Sequence, residues 1–165
     1  MDTRVPVSND LDDWRKLPQL ERDTFAKAFA GLTLLDTLQS VDGAEVLKHD
    51  ARTPQEIACF NNIQFMESVH AKSYSTIFTT LLTKNEINDV FDWVHNNEIL
   101  QRKAKLIDEV YELTNKKDLT DEELFKVYCA SINLESHLFY SGFFLPVYIE
   151  GLEGELTGSA DIIKK

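Results

Sequence analysis

Apolar residues recur along most of this chain in steps of three and four, the spacing of helices that bury one face. Only 6 Gly and 4 Pro occur in 165 residues, which leaves long periodic stretches with few turns between them. The pattern predicts an all-α protein, and the local start and stop signals place its elements. Residues 1–17 read as an irregular arm, because Pro6 and Ser8-Asn9-Asp10 interrupt any regular structure, although 11–16 could form a short turn. Pro18 suits the first position of a helix running to about 42, with Gly43 at or near its end. Thr53-Pro54-Gln55-Glu56 is a capping box with proline at the first helical position, opening a helix over 54–82. Thr83 with Glu86 and Thr120 with Glu123 repeat the box, opening helices over 84–95 and 121–150. Asn96-Asn97 separates the former from a helix over 98–115. Pro146 falls in the last turns of 121–150 and predicts a kink there. Gly151, Gly154 and Gly158 mark a loop, and 159–165 read as the start of a further helix. One domain accounts for 1–165.

The buried stripes contain charges. Phe60, Ile63, Glu67, His70, Tyr74, Ile77 and Leu81 share one face of the 54–82 helix. Phe25, Phe29, Leu32, Asp36 and Gln39 form a second stripe, and Leu124, Tyr128, Ser131, Glu135, Leu138, Gly142 and Leu145 a third. Each has a carboxylate near its middle, and no Lys or Arg lies on any of them. An unpaired buried carboxylate costs several kcal/mol or more, so a compensating partner is needed, and a metal cation is the economical one. Carboxylates with one imidazole suit iron or manganese better than zinc. Glu67-x-x-His70 puts both side chains on one face, and ferritin-like di-metal bundles use such a pair together with single carboxylates from other helices. In that arrangement Asp36 and Glu135 are the single carboxylates. The bland alternative is a buried polar network in a plain helical bundle. A second Glu-x-x-His is absent, and Asp92-x-x-His95 is a poor substitute on the polar side of its helix. His49 reads as a loop histidine, His137 as a surface or edge one, and Cys59 and Cys129 as small core fillers.

Charge narrows the function classes. Lys plus Arg is 17 and Asp plus Glu is 28, a net charge of −11, which opposes nucleic acid and anionic membranes as partners. No apolar run approaches the ~20 residues that span a bilayer. The first residues lack the apolar core of a secretory signal, and two cysteines make no disulfide framework. A cytoplasmic location is expected.

At Glu67-Ser68-Val69-His70-Ala71-Lys72-Ser73-Tyr74 the chain resembles the small, radical-generating subunit of class I ribonucleotide reductase, most like the class Ib form. GLTLLDTLQSVDGAEVL (31–47), NNIQFMESVHAKSYS (61–75) and LESHLFYSGFFLPVY (134–148) carry the resemblance, which covers essentially the whole chain. It implies a ferritin-like di-metal carboxylate bundle in which Asp36, Glu67, His70 and Glu135 are four of six ligands. It implies that Tyr74 forms the stable radical and that Phe139 and Phe143 shield it. The implied cofactor is di-manganese or di-iron, with a flavodoxin-like partner supplying the oxidant for manganese. The implied reaction is reduction of ribonucleoside diphosphates to deoxyribonucleotides by the large catalytic subunit. A tyrosine four residues after a metal-binding histidine lies one turn along the same face, within several ångströms of the metals.

The resemblance also implies a protein about twice this length. The helix bearing the second Glu-x-x-His is expected from about 159, and two ligands are therefore missing from this chain. So are a tryptophan near the amino end of the family's radical route, which Trp14 lies too far along to replace, and the tail that docks on the large subunit. Position 137 is usually bulky and apolar, and here it is His137. A partial or split-gene product, one half of a two-piece protein and a deliberate fragment are each compatible with this, and the bundle is incomplete. An incomplete bundle predicts self-association, as a homodimer or with a completing chain. The other functional classes are an inactive or pairing fragment of such a subunit and a ferritin-like metal-binding protein, which has no need of Tyr74.

Overall fold

The computed structural model describes residues 5–164, without the side chains of Asp42 and His49. Residues 1–4 of the predicted arm, Lys165 and the His49 side chain therefore lie outside the described residues. The helices are α1 (Leu11–Lys16), α2 (Gln19–Leu38), α3 (Ala44–His49), α4 (Pro54–Leu81), α5 (Lys84–Asn96), α6 (Glu98–Tyr111), α7 (Asp121–Asn133), α8 (Phe139–Glu153) and α9 (Thr157–Ile163). There is no strand among the described residues.

The three Thr/Glu boxes close in both directions at the starts of α4, α5 and α7. At Thr53, for example, the hydroxyl accepts from Glu56 N–H at 3.2 Å and the Glu56 carboxylate accepts from Thr53 N–H at 3.2 Å. Asn97 caps α6 by accepting from Leu100 N–H at 3.0 Å.

Several boundaries differ from the sequence reading. Pro18 is the residue before α2, with extended ψ of 146°, and Gln19 is the first helical position. The helix does not stop at 42: a π-turn over Gln39–Gly43 carries it into α3, and His49 is that helix's last residue. A second π-turn, Leu134–Leu138, joins α7 to α8. The expected 98–115 helix is α6 followed by a 3-10 turn over Glu112–Asn115. Pro146 sits in the middle of α8. The predicted glycine loop is shorter, because Gly151 is still within α8, Gly154 ends it at φ 69°, and Gly158 lies inside α9. Cys59 is exposed on α4, outside the core.

From Val7 the arm takes up helical turns. A 3-10 turn (Val7–Asp10) leads into α1, and Val7, Trp14 and Leu17 are buried. Apolar contact with α2 and α4 fixes it, overriding a local sequence with no strong preference. The Trp14 ring meets Phe25 edge-on at 5.5 Å, Phe25 packs on Phe29 at 4.6 Å, and Phe29 meets Tyr74 edge-on at 5.5 Å. This aromatic row ties the arm to α2 and then to α4. Helix α2 is the hub, packing against α4, α5, α6 and α8. Its inner stripe of Phe25, Phe29, Leu32 and Asp36 is fully buried.

Candidate metal centre

The three charged stripes converge. Asp36 from α2 and Glu67 with His70 from α4 offer ligand atoms that all lie within 4.8 Å of one another. Asp36 and Glu67 are buried, and His70 is partly exposed. His70 Nδ1 lies 3.2 Å from Glu67 Oε2, and the i, i+3 spacing on one helix face brings the pair together. Glu135 stands outside that tight group, in the π-turn between α7 and α8, but faces the same charges: Glu67 and His70 both act on its carboxyl.

Asp36 is 1% exposed, and neither of its oxygens has a well-formed hydrogen bond. Glu135 Oε1 is buried and unpartnered as well. Burial, then Glu67, push the Asp36 carboxyl up to about 8. Burial and Glu67 likewise push Glu135 up to about 7. His70 is raised by its bond to Glu67, against the opposing effect of burial. Tyr74 is buried one turn beyond His70, and its phenol is held well above the ordinary range by burial and by the neighbouring Asp36 carboxylate. Orphaned carboxylate oxygens, an imidazole and no lysine or arginine among the described partners make a donor set that fits a hard to borderline divalent cation.

Phe139 is buried and pairs with Phe143 at 6.2 Å, but the ring pairs among the described residues do not join either of them to Tyr74. The ring packed on Tyr74 is that of Phe29. Its place on the α2 stripe was legible, but its partner required the crossing of α2 and α4. Tyr111 on α6 is a buried core tyrosine. Its hydroxyl donates to Gln39 Oε1 at 2.5 Å in the core. Asp92, His95 and His137 are exposed and join no such group among the described residues.

Fold and site together define a ferritin-like helical bundle with carboxylates and a histidine at its centre. A family model described as ribonucleotide reductase, small chain, matches residues 1–165. The chain belongs to that family. It is 47% identical over 161 residues to the beta subunit of ribonucleoside-diphosphate reductase from Mycobacterium tuberculosis, covering 98% of this chain and 47% of that protein. It is 45% identical to the reductase 2 beta subunit of Escherichia coli, again over 98% of this chain and 48% of the relative. The crystal structure of Streptococcus sanguinis dimanganese(II)-NrdF superposes with a TM-score of 0.89 at 54% identity, covering 99% of this chain and 55% of that one. The chain thus spans about half the length of the relatives it matches.

Proposed function

We propose that Asp36, Glu67, His70 and Glu135 form one side of a two-metal centre in the small subunit of a ribonucleoside-diphosphate reductase. In this reading Tyr74 is the residue converted to a stable radical, which a large catalytic subunit uses to reduce ribonucleotides in the cytoplasm. The observation that carries the proposal is Asp36: a fully buried carboxyl with no well-formed hydrogen bond on either oxygen, beside Glu67, His70 and Tyr74. Buried carboxylates facing one another with no lysine or arginine among the described partners are the arrangement that a divalent cation compensates. Manganese or iron bound there supplies the oxidation of Tyr74; the dimanganese relative favours manganese, and a flavodoxin-like protein is the proposed source of its oxidant.

The chain's own residues contribute position and dryness. Tyr74 is fixed on the rigid α4, with Phe29 across its ring, and buried away from water. Asp36 lies beside the phenol, so the proton released when Tyr74 loses an electron has an acceptor. Phe139 and Phe143 extend the apolar wall on α8. Two further ligands are expected from the part of the relatives that this chain does not span, supplied by a completing segment or chain. A metal-storage bundle would need the carboxylates but not a buried tyrosine against one of them.

The test is anaerobic loading of the purified chain with manganese(II) or iron(II), oxidation, elemental analysis and low-temperature EPR. The expected result is bound metal and, once the ligand set is complete, a tyrosyl signal that Tyr74→Phe abolishes. Metal binding with a signal that survives Tyr74→Phe would overturn the assignment of Tyr74. No bound metal in either form would overturn the proposed centre in this chain.

A further inference from the structure

We infer that the amino-terminal arm is a strap that opens and closes together with α9: Asp10 clasps the two, and Trp14 seals the apolar row that ends at Tyr74. The inference needs no metal and no radical, so it stands apart from the function proposed above. The Asp10 carboxylate is buried, at 1% exposure. It accepts from Gly158 N–H at 2.9 Å and from the Ser159 N–H and hydroxyl, each at 2.7 Å. These bonds make the closed position of each element conditional on the other. With the arm lifted alone, three donors at the start of α9 are left in a dry site without an acceptor. With α9 lifted alone, a buried carboxylate is left without a donor, which costs still more. Opening both lets water satisfy every one of these groups.

Helix α9 packs chiefly on α8 and on the Val7–Asp10 turn. Lys164, just past its end, pairs with Glu150 of α8 at 2.6 Å, and that pair is partly exposed. The joint with α8 is strained: Leu156 is fully buried with a left-handed backbone at φ 53°, which a leucine holds only under the constraint of its surroundings. The same Val7–Asp10 turn packs on α4, so the strap lies between α9 and the helix that carries Glu67, His70 and Tyr74. Trp14 is 5% exposed and closes a seam over Phe25, Phe29 and Ile77 that is too narrow for a water molecule. Phe29 is the ring packed on Tyr74. Lifting the strap therefore uncovers Phe25 and Phe29 and brings water to the ring next to Tyr74. Terminal elements with few packing partners open at lower free energy than the core beneath them, and as cooperative units.

The experiment is hydrogen exchange of the full, metal-free chain along a urea series, read by mass spectrometry of peptides from the arm, α4, α7 and α9. It compares wild type, Ser159→Ala and Asp10→Ala. Acrylamide quenching of Trp14 is read in a Trp93→Phe background, which leaves Trp14 as the one tryptophan. In wild type the arm and α9 should exchange with one common urea dependence, at lower protection than α4. Ser159→Ala removes one clasp bond from the α9 side, and exchange should quicken about threefold or more in the arm as well as in α9. Asp10→Ala should quicken both about a hundredfold, with α4 and α7 unchanged, and both variants should raise the quenching of Trp14. Different urea dependences of the arm and α9 in wild type overturn the inference. So does an arm whose exchange Ser159→Ala leaves unchanged, whether or not α9 responds. Exchange quickened equally in α4 and α7 overturns it too, because the strap is then no separate unit. Faster exchange of the arm with unchanged quenching of Trp14 overturns the seal. Where Asp10→Ala does not fold, the wild-type series and Ser159→Ala decide by themselves.

Discussion

Asp10 and Ser159 are joined across 149 positions of sequence: Asp10 Oδ2 accepts from both the Ser159 backbone N–H and its hydroxyl, each at 2.7 Å. Asp10 Oδ1 accepts from Gly158 N–H at 2.9 Å. One buried carboxylate thus caps the amino end of α9 from the opposite terminus. Leu156, just before α9, has a left-handed backbone and makes no side-chain cap of its own. Asp10→Ala would leave three buried donors without a partner, and the expected loss is about 3 kcal/mol. Asp10→Asn, which keeps an acceptor but not the charge, should lose less. Urea unfolding of the three proteins measures the order.

Asp36→Asn separates stability from function. Near pH 8.5 the metal-free protein should gain about 1–3 kcal/mol, because a buried unpaired carboxylate is replaced by a neutral amide able to donate to Glu67. Near pH 5, where the folded Asp36 is already protonated, the gain should be much smaller, and below about pH 4 it should vanish. Manganese affinity should fall in the same variant. Equal denaturation midpoints for the two proteins at about pH 8.5 would contradict the burial argument.

The pH dependence of the metal-free chain has a definite sign. The Asp36 and Glu135 carboxyls, pushed up to about 8 and about 7, bind protons in the folded state that the unfolded chain has released above ~4. Stability from these groups therefore falls as pH rises from about 4 to about 8. His70, raised by Glu67, acts in the same direction: its contribution is complete below the ordinary histidine value and is lost as pH passes its folded value. Thermal melts in EDTA at about pH 5, 7 and 8.5 should show a steady decline. Metal binding must displace those protons, so manganese affinity should climb over the same interval.

Two glycine substitutions should act in opposite directions. Gly43→Ala forces a Cβ onto the Gln39 amide and to 2.9 Å from Tyr111, and overpacking of this kind costs about 1–3 kcal/mol. Gly151 lies in α8 with nothing within 4 Å of its added Cβ, and Gly151→Ala should stabilise by ~0.5–1 kcal/mol through helix propensity. Chemical denaturation of both variants checks the pair.

What the sequence shows, and what it hides, follows the range of the interactions. The Thr53, Thr83 and Thr120 boxes are four-residue signals, so their helices start where they were read. The convergence of Asp36, Glu67 and His70 was legible because a charge on an apolar stripe must meet compensation inside the fold. In the arm the turn over 11–16 was legible and is α1, but the 3-10 turn over Val7–Asp10 was not, because Trp14 and Val7 are held by distant apolar partners and Asp10 by α9. Phe29 against Tyr74 and Tyr111 against Gln39 depend on helix crossings that no local spacing encodes. Cys59 was assigned to the core by residue type, yet its position on α4 faces outward.

The two π-turns bear on how this chain tolerates change in length. Each π-turn accommodates one residue more than an α-helical turn, and one residue rotates the following helix by about 100°. Gln39–Gly43 and Leu134–Leu138 are therefore places where the backbone could absorb the loss of a residue by reverting to ordinary α-helix. Such a deletion in the second turn would leave α7 and α8 in phase with one another, with Phe139 still facing the interior and Tyr140, Phe144 and Tyr148 still outside. The same deletion inside α8, where no π-turn takes up the difference, would swing every later side chain round by about 100°. The second turn thus protects the bearing of α8, while the turn itself, which carries Glu135, is the part that a lost residue would remake.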